Sequence, residues 1–391
     1  MKFPCFCTLF SRPVVRPATL ALMLHFAVLP MLAVLALMQA RPLQAAEVSG
    51  LYEWDVTVTS RDDQRERQQA FSAAMRAVLL KLTGRDDTNS NPVVARALSS
   101  PQSYVEAFAY NSVLPDDPFA QPGQAARIQL HVTFFQAGIQ QLLNDAGIAV
   151  WPSNRPDTLL WVSVQDELGE RYQATALPDQ GGELVAAFEQ EAATRGVPLM
   201  LPLQDFADMR ALPLEQLWNL DVNALRIASS RYQGESILAL RVFRSLSGDI
   251  IGRAVYIFRD QVLEFDAFES PLEPFVEGSI DLVAETLASY YAILLSGAGA
   301  GSDEEVRLTV DGIGSASDYA GLLRYLNGLA VVSGVQVLGA QGASLELQLE
   351  TGGQSRQLVE SIALDRRLSA LGEVQRNGAQ VQLHYRWLPQ P

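Results

Sequence analysis

Residues 236–243 (SILALRVF), 250–258 (IIGRAVYIF) and 262–268 (VLEFDAF) are three apolar runs separated by Ser247-Gly248-Asp249 and Arg259-Asp260. Runs of strand length punctuated by turn residues read as an antiparallel meander. Upstream, residues 159–164 (LLWVSV) are almost continuously apolar, the pattern of a strand buried on both faces. Helices near Glu183–Arg195, Leu214–Trp218 and Val222–Arg231 lie between, with Gly196 stopping the first before a short strand, Val197–Leu201. Downstream, Ser270-Pro271-Leu272-Glu273 opens a long helix. Ser270 is placed as N-cap, Pro271 at the first helical position and Glu273 at the third, a capping box. Its apolar stripe is Leu272, Val276, Ile280, Val283, Leu287, Tyr290 and Leu294. These elements form a central α/β module, residues 157–296.

A second module follows the flexible stretch Ser296-Gly-Ala-Gly-Ala-Gly-Ser302. Residues 303–391 read strand (Val306–Val310), helix (Asp318–Leu329), two strands (Gly334–Leu338, Ser344–Leu349), helix (Ser355–Leu368) and strand (Val381–Trp387). That is the ferredoxin-like order β-α-β-β-α-β. Residues 46–152 have a related order, β-α-α-β-β-α-β. They open with the alternating strand Tyr52–Thr59 and the helix Phe71–Leu82, which ends at Gly84, and close with a strand at Ile148–Trp151. Pro152-Ser-Asn-Arg-Pro156 reads as a linker by composition. The expected fold is therefore α+β: three small modules, the first and third ferredoxin-like, the middle one built on a three-stranded meander.

Residues 1–45 read as a secretory signal. Lys2, Arg12 and Arg16 precede an apolar run, Ala18–Met38, and small residues follow it, which puts cleavage after Ala45. An uncleaved inner-membrane anchor is the alternative. Both cysteines, Cys5 and Cys7, lie in this segment, so the remainder has no thiol, disulfide or Cys-ligated metal. Removing it takes four of the 29 basic residues and none of the 44 acids, leaving 25 against 44, a net charge of −19. Such a charge opposes binding to nucleic acid or anionic lipid. The expected location is the periplasm.

No Gly-x-Gly-x-x-Gly, phosphate loop, His-Glu-x-x-His or Gly-x-Ser-x-Gly occurs. Lys81, the one lysine left after processing, stands at a helix end where its charge suits the dipole and nothing in the neighbouring sequence desolvates it. His131 and His384 fall on the polar faces of strands in different modules, which disfavours a triad or a His-based metal site. Asp86 to Asn91 has the spacing that opens a calcium loop. Pro92 and Leu98 occupy the positions where such a loop needs Gly and a bidentate Glu, so a polar turn with Asn91 capping the next helix is the expectation. No cofactor and no catalytic residue are expected. The unusual feature is electrostatic: Asp260 to Val306 holds eleven acids and no Lys or Arg. On the long helix Glu277, Asp281 and Glu285 form an acidic ridge, a solvated face or a partner-binding site.

The chain resembles the bacterial family catalogued as domain of unknown function 2066. The resemblance rests on Lys81-Leu-Thr-Gly84, Pro101-x-x-Tyr104-Val105, Gly196-Val-Pro-Leu-Met-Leu-Pro202, Ala228-Ser-Ser-Arg-Tyr232 and Asp318-Tyr-Ala-Gly-Leu-Leu-Arg-Tyr-Leu326. It implies an exported envelope protein and transfers no catalytic residue. The functional expectation is a non-enzymatic binding or adaptor protein whose partner is an envelope protein or cell-wall component. A carboxylate-dependent cell-wall glycan hydrolase is the alternative.

Overall fold

The computed structural model describes residues 46–113, 127–245, 249–294, 304–352, 355–365 and 367–388. The signal segment, the stretch Ser296–Ser302 and part of the Ser247–Asp249 turn lie outside these. The described residues fall within one unit, Gln44–Pro391.

In the first module, β1 (Ala46–Glu47) and β2 (Glu53–Val58) precede α1 (Gln64–Thr83) and α2 (Pro92–Leu98). Then come β3 (Val105–Val113), β4 (Arg127–Phe134), α3 (Gln136–Asp145) and β5 (Asn154–Arg155). The sheet order is β2-β4-β3, antiparallel throughout. Asp63 caps α1 by accepting from the backbone N–H groups of Arg65 and Glu66, and Gly84 ends it in the left-handed conformation. One face of α1 (Phe71, Ala74, Met75, Val78, Leu79, Leu82) covers the sheet. Ile148–Trp151 does not join this sheet as expected. Val150 instead makes a single bridge to Ile293 near the end of the central module.

The central module contains β6 (Thr158–Gln165), β7 (Arg171–Gln173), α4 (Gly182–Arg195), β8 (Leu199–Met200), α5 (Phe206–Ala211), α6 (Leu214–Trp218) and α7 (Val222–Ser229). The meander β9 (Ser236–Arg244), β10 (Ile250–Phe258) and β11 (Gln261–Ser270) follows, then α8 (Leu272–Tyr291). The sheet order is β11-β10-β9-β6-β7, with β8 alongside β6. As its apolar run requires, β6 is buried on both faces. Leu160, Val162 and Val164 pack under α4 and α8, while Leu159 and Trp161 pack under α6 and α7. The expected capping box does not form. Ser270 stays in the β11 ladder opposite Ile250, Pro271 becomes the N-cap, and no side chain caps α8. Phe275, outside the expected stripe, is fully buried, and Leu294 is exposed beyond the helix end.

The third module comprises β12 (Glu305–Asp311), α9 (Ala316–Gly328), β13 (Val332–Gln341), β14 (Ser344–Thr351), α10 (Ser355–Asp365), β15 (Leu368–Ala370), β16 (Gln375–Asn377) and β17 (Gln380–Trp387). The core strands run β17-β12-β14-β13, with β17 parallel to β12, the arrangement of two interleaved β-α-β units. Strict alternation puts Val306, Leu308, Val310, Leu345, Leu347, Leu349, Val381 and Leu383 on the face that the helices cover.

What joins the modules corrects the linker reading of Pro152–Pro156. Arg155 is fully buried. Its guanidinium donates to the carbonyls of Pro152 (2.8 Å), Trp151 (3.0 Å), Lys81 (2.9 Å), Gly196 (2.7 Å) and Arg195 (3.4 Å). The segment is a buried strap between the first two modules. Glu360 on α10 ties the third module to the second, accepting from Arg259 and from the Tyr290 hydroxyl, the latter at 2.7 Å.

Candidate functional site

The turn after α1 and the segment after α3 face α8 and β11 across a cleft of about 1190 Å³. One wall carries Arg85, Asp86, Asp87, Thr88 and Asn91 with Ile148 and Ala149. The other carries Gln261, Leu263, Leu282, Glu285, Thr286 and Ser289. Gly84 sets the separation, because its backbone lies against Ala284 and Ala288 of α8.

The two acidic features singled out in the sequence meet at this cleft. Asp86–Ser90 is a 3₁₀ turn, and Asn91 caps α2 by accepting from the Val93 N–H at 2.9 Å. The carboxylates of the turn diverge. Asp87 takes two hydrogen bonds from Arg85, which hold its pKa below the usual carboxylate range. Asp86 turns to Arg195, 2.7 Å away. The oxygens therefore do not converge as a calcium site needs.

The ridge is not uniform. Asp281 lies 2.9 Å from Nη2 of Arg195, a residue only 2% exposed that comes from α4. Burial raises the Asp281 pKa against the pull of Arg195, and burial raises that of Glu191 with help from Asp281 and Glu277. Glu277 and Glu285 are exposed. Among the described residues Glu285 has no hydrogen-bond or ion-pair partner, and it is the ridge member that lines the cleft. The sequence could not show this division, because Arg195 lies 86 positions before Asp281.

Lys81 also departs from expectation. It is 8% exposed, with Nζ 3.3 Å from the Gly50 carbonyl and 4.9 Å from the Trp54 ring. Burial lowers its pKa, and neighbouring Arg155 lowers it further. The histidines sit on polar strand faces: His131 Nδ1 is 2.9 Å from Asp55 and His384 Nε2 is 3.0 Å from Asp311.

The acid best placed to titrate near neutrality stands outside the cleft. Burial alone lifts Asp157, at the start of β6, from 3.8 to about 6. Because its folded pKa is raised, its contribution to stability is full below about pH 4 and is lost as pH rises through 6. Asp157→Asn should therefore stabilise the protein by about 1 kcal/mol at pH 8 and by nothing measurable at pH 4, read from urea melts. An equal gain at both pH values would contradict this assignment.

Comparison with known proteins corrects the resemblance drawn from the sequence. The family that matches is described as Domain of unknown function (DUF8605), and it covers residues 45–152, not the whole chain. No curated protein matches. Among solved structures, a competence-damaged protein (CinA) superfamily protein from Enterobacter cloacae is 15% identical, covering 38% of this chain and 85% of its own, at a TM-score of 0.22. A competence or damage-inducible protein from Enterobacter asburiae is 14% identical, covering 39% and 92%, at 0.21. The corresponding CinA superfamily protein from Escherichia coli is 13% identical, covering 39% and 86%, also at 0.21. At these scores the likeness carries no functional argument. Among the described residues no helix is long and apolar enough to cross a membrane.

Proposed function

We propose that the chain is a non-enzymatic binding protein of the cell envelope, exported through residues 1–45, and that the cleft beside α8 receives a cationic segment of another envelope component. The observation that carries this reading is Glu285, an exposed carboxylate with no hydrogen-bond or ion-pair partner among the described residues, on the wall of a cleft whose lining holds three acids and one arginine. Leu263, Leu282 and Ile148 add apolar surface for the stem of a lysine or arginine. The hydrolase alternative gains no support here, since Asp87 is engaged by Arg85 and Asp86 by Arg195. An acid catalyst needs a carboxyl free to hold and release a proton.

Crosslinking in intact cells tests the site. Glu285→Arg should lose the crosslinked partner at normal protein level while its melting temperature stays within about 1 °C, as expected for an exposed position. High salt should do the same to the native chain, since exposed charges are screened within about 8 Å at physiological ionic strength. An unchanged crosslinking pattern would remove the cleft from function. Intact-mass measurement of the envelope fraction should find a chain beginning at Ala46. A full-length chain in the inner membrane would overturn the export reading.

A further inference from the structure

We propose that the cationic segment binds in extended form, hydrogen-bonded as one more strand along the free edge of β11. This rests on the reading of the cleft given above and adds how the partner is held. β11 ends the central sheet: it pairs with β10 and, among the described residues, with no other strand. Alternate residues of an edge strand turn their N–H and C=O groups outward, where another chain can take them up. Of the long edge strands β2, β3, β11 and β13, only β11 contributes residues to the cleft wall, Gln261 and Leu263. A chain lying against that wall therefore meets open backbone groups.

The register of β11 sets the length of the contact. Residues 261–267 run unbroken against β10, from the Phe258–Gln261 pair to the Gly252–Ala267 pair. The register then shifts before Ile250 and Ser270, and Glu269 takes a φ of +47°. The regular part of the edge is about 23 Å long. Its side chains alternate: Leu263, Phe265 and Ala267 pack against the core beneath α8, while Val262, Glu264 and Asp266 are exposed on the other face. An added strand alternates in step. One set of its side chains lies on the side of Leu282 and Glu285, the other on the side of Glu264 and Asp266.

Charge selects the occupant. β11 carries Glu264, Asp266 and Glu269 and no Lys or Arg. Arg253 of β10 contacts Glu264 and lies 3.5 Å from Asp266, so one guanidinium answers two carboxylates. Arg259, at the turn before the strand, is taken up by Glu235 and Glu360. Across the cleft, Arg85 is bonded to Asp87 and acts only at longer range on Glu285. Acids thus remain in excess on both faces that a new strand meets. A second copy of β11 would set like charges opposite each other, whereas lysine or arginine opposite Glu264 and Asp266 forms favourable cross-strand pairs. The same acids that close this edge to its own kind open it to a basic strand.

The probe is a blocked octapeptide, Lys-Lys-Thr-Thr repeated twice, which in extended form carries two lysines on each face. It is added at low salt to the chain expressed from Met1 and purified as the cell processes it. At saturation it should slow exchange of the outward-facing amides of residues 261–267 about tenfold or more, while amides already bonded to β10 keep their rates. Replacing its threonines by proline keeps the charge and removes half of the donors, and should weaken binding about tenfold. Glu264→Gln with Asp266→Asn leaves the cleft wall untouched and should weaken binding of the threonine peptide about fivefold, with melting temperature checking the fold. A proline peptide that binds as tightly as the threonine peptide would overturn strand addition. So would binding without slowed exchange on β11, binding indifferent to the double substitution, or no binding at all. The effect of Glu285→Arg on crosslinking in cells reports separately on the cleft, so a cleft that takes a cationic ligand in another conformation is told apart from a cleft that takes none.

Discussion

Replacing Arg155 by Met should cost about 4 kcal/mol of stability, since several buried carbonyls lose their donors and each orphan costs about 1–3 kcal/mol. Five carbonyl oxygens surround this guanidinium, and all come from backbone. Three of them come from distant segments, Lys81 near the end of α1 and Arg195 and Gly196 at the end of α4, and two from Trp151 and Pro152 just before it. Methionine matches much of the volume and supplies no donor. The effect thus isolates hydrogen bonding from packing, apart from the loss of the cation stacked 3.8 Å from the Trp151 ring. Arg155→Lys keeps the charge with three donors instead of five, and should recover only part of the loss. Because the strap joins two modules with separate cores, urea unfolding of Arg155→Met should also broaden or split into two transitions. A loss below about 1 kcal/mol would mean that water satisfies these carbonyls and that the strap is an ordinary linker.

The strap also shows why part of this fold was legible in the sequence and part was not. The third module reads correctly because its signals are local. Strands of period two and helices of period 3.6 each bury a face that their own residues define. The burial of β6 on both faces follows from the same reasoning. Pro152–Pro156 misleads because the partners of Arg155 are carbonyls, and a carbonyl leaves no mark on residue identity. Lys81 misleads similarly: nothing beside it in sequence desolvates it, and the burial comes from Trp54, Gly50 and Arg155 at a distance. The ridge reads as three equivalent acids until Arg195 arrives from α4 to hold Asp281. The capping box fails because β11 keeps Ser270 in its ladder, where tertiary pairing outweighs a local cap.

The segments quoted for the family resemblance acquire a physical meaning from the same junction. Gly196 packs against Arg155 and Lys81, and a Cβ there would sit 2.5 Å from Nη1 of Arg155. Arg231 and Tyr232 hold the buried carboxylate of Asp208, which fixes α5 against α7. Ser229 accepts from the indole N–H of Trp161. Each position keeps an element in place, and none faces the cleft with a reactive group. A likeness built on such residues tracks packing, and the family that does match is a different one, over residues 45–152.

Gly84→Ala should cost about 3 kcal/mol, from about 1 kcal/mol for a Cβ in the left-handed region and about 2 kcal/mol for overpacking. Gly84 has φ +64°, and its Cβ would stand 2.5 Å from the Ala288 Cβ and 3.0 Å from the Ala284 carbonyl oxygen. Both neighbours are buried on α8, whose backbone cannot yield without disturbing the central core. Gly147 supplies the control. Its φ is +65°, so alanine meets the same backbone penalty there, but nothing lies within 4 Å of its Cβ. Gly147→Ala should therefore lose only about 1 kcal/mol, and the difference between the two variants measures the close approach of the first module to α8. That approach also sets the width of the cleft, since Thr83 and Ala288 lie on opposite walls beside Gly84. Gly84→Ala should accordingly weaken crosslinking of the cleft partner at temperatures where the protein is still folded. Equal losses in stability from the two substitutions would show that α8 moves aside freely, and the cleft would then have no fixed width with which to select a ligand.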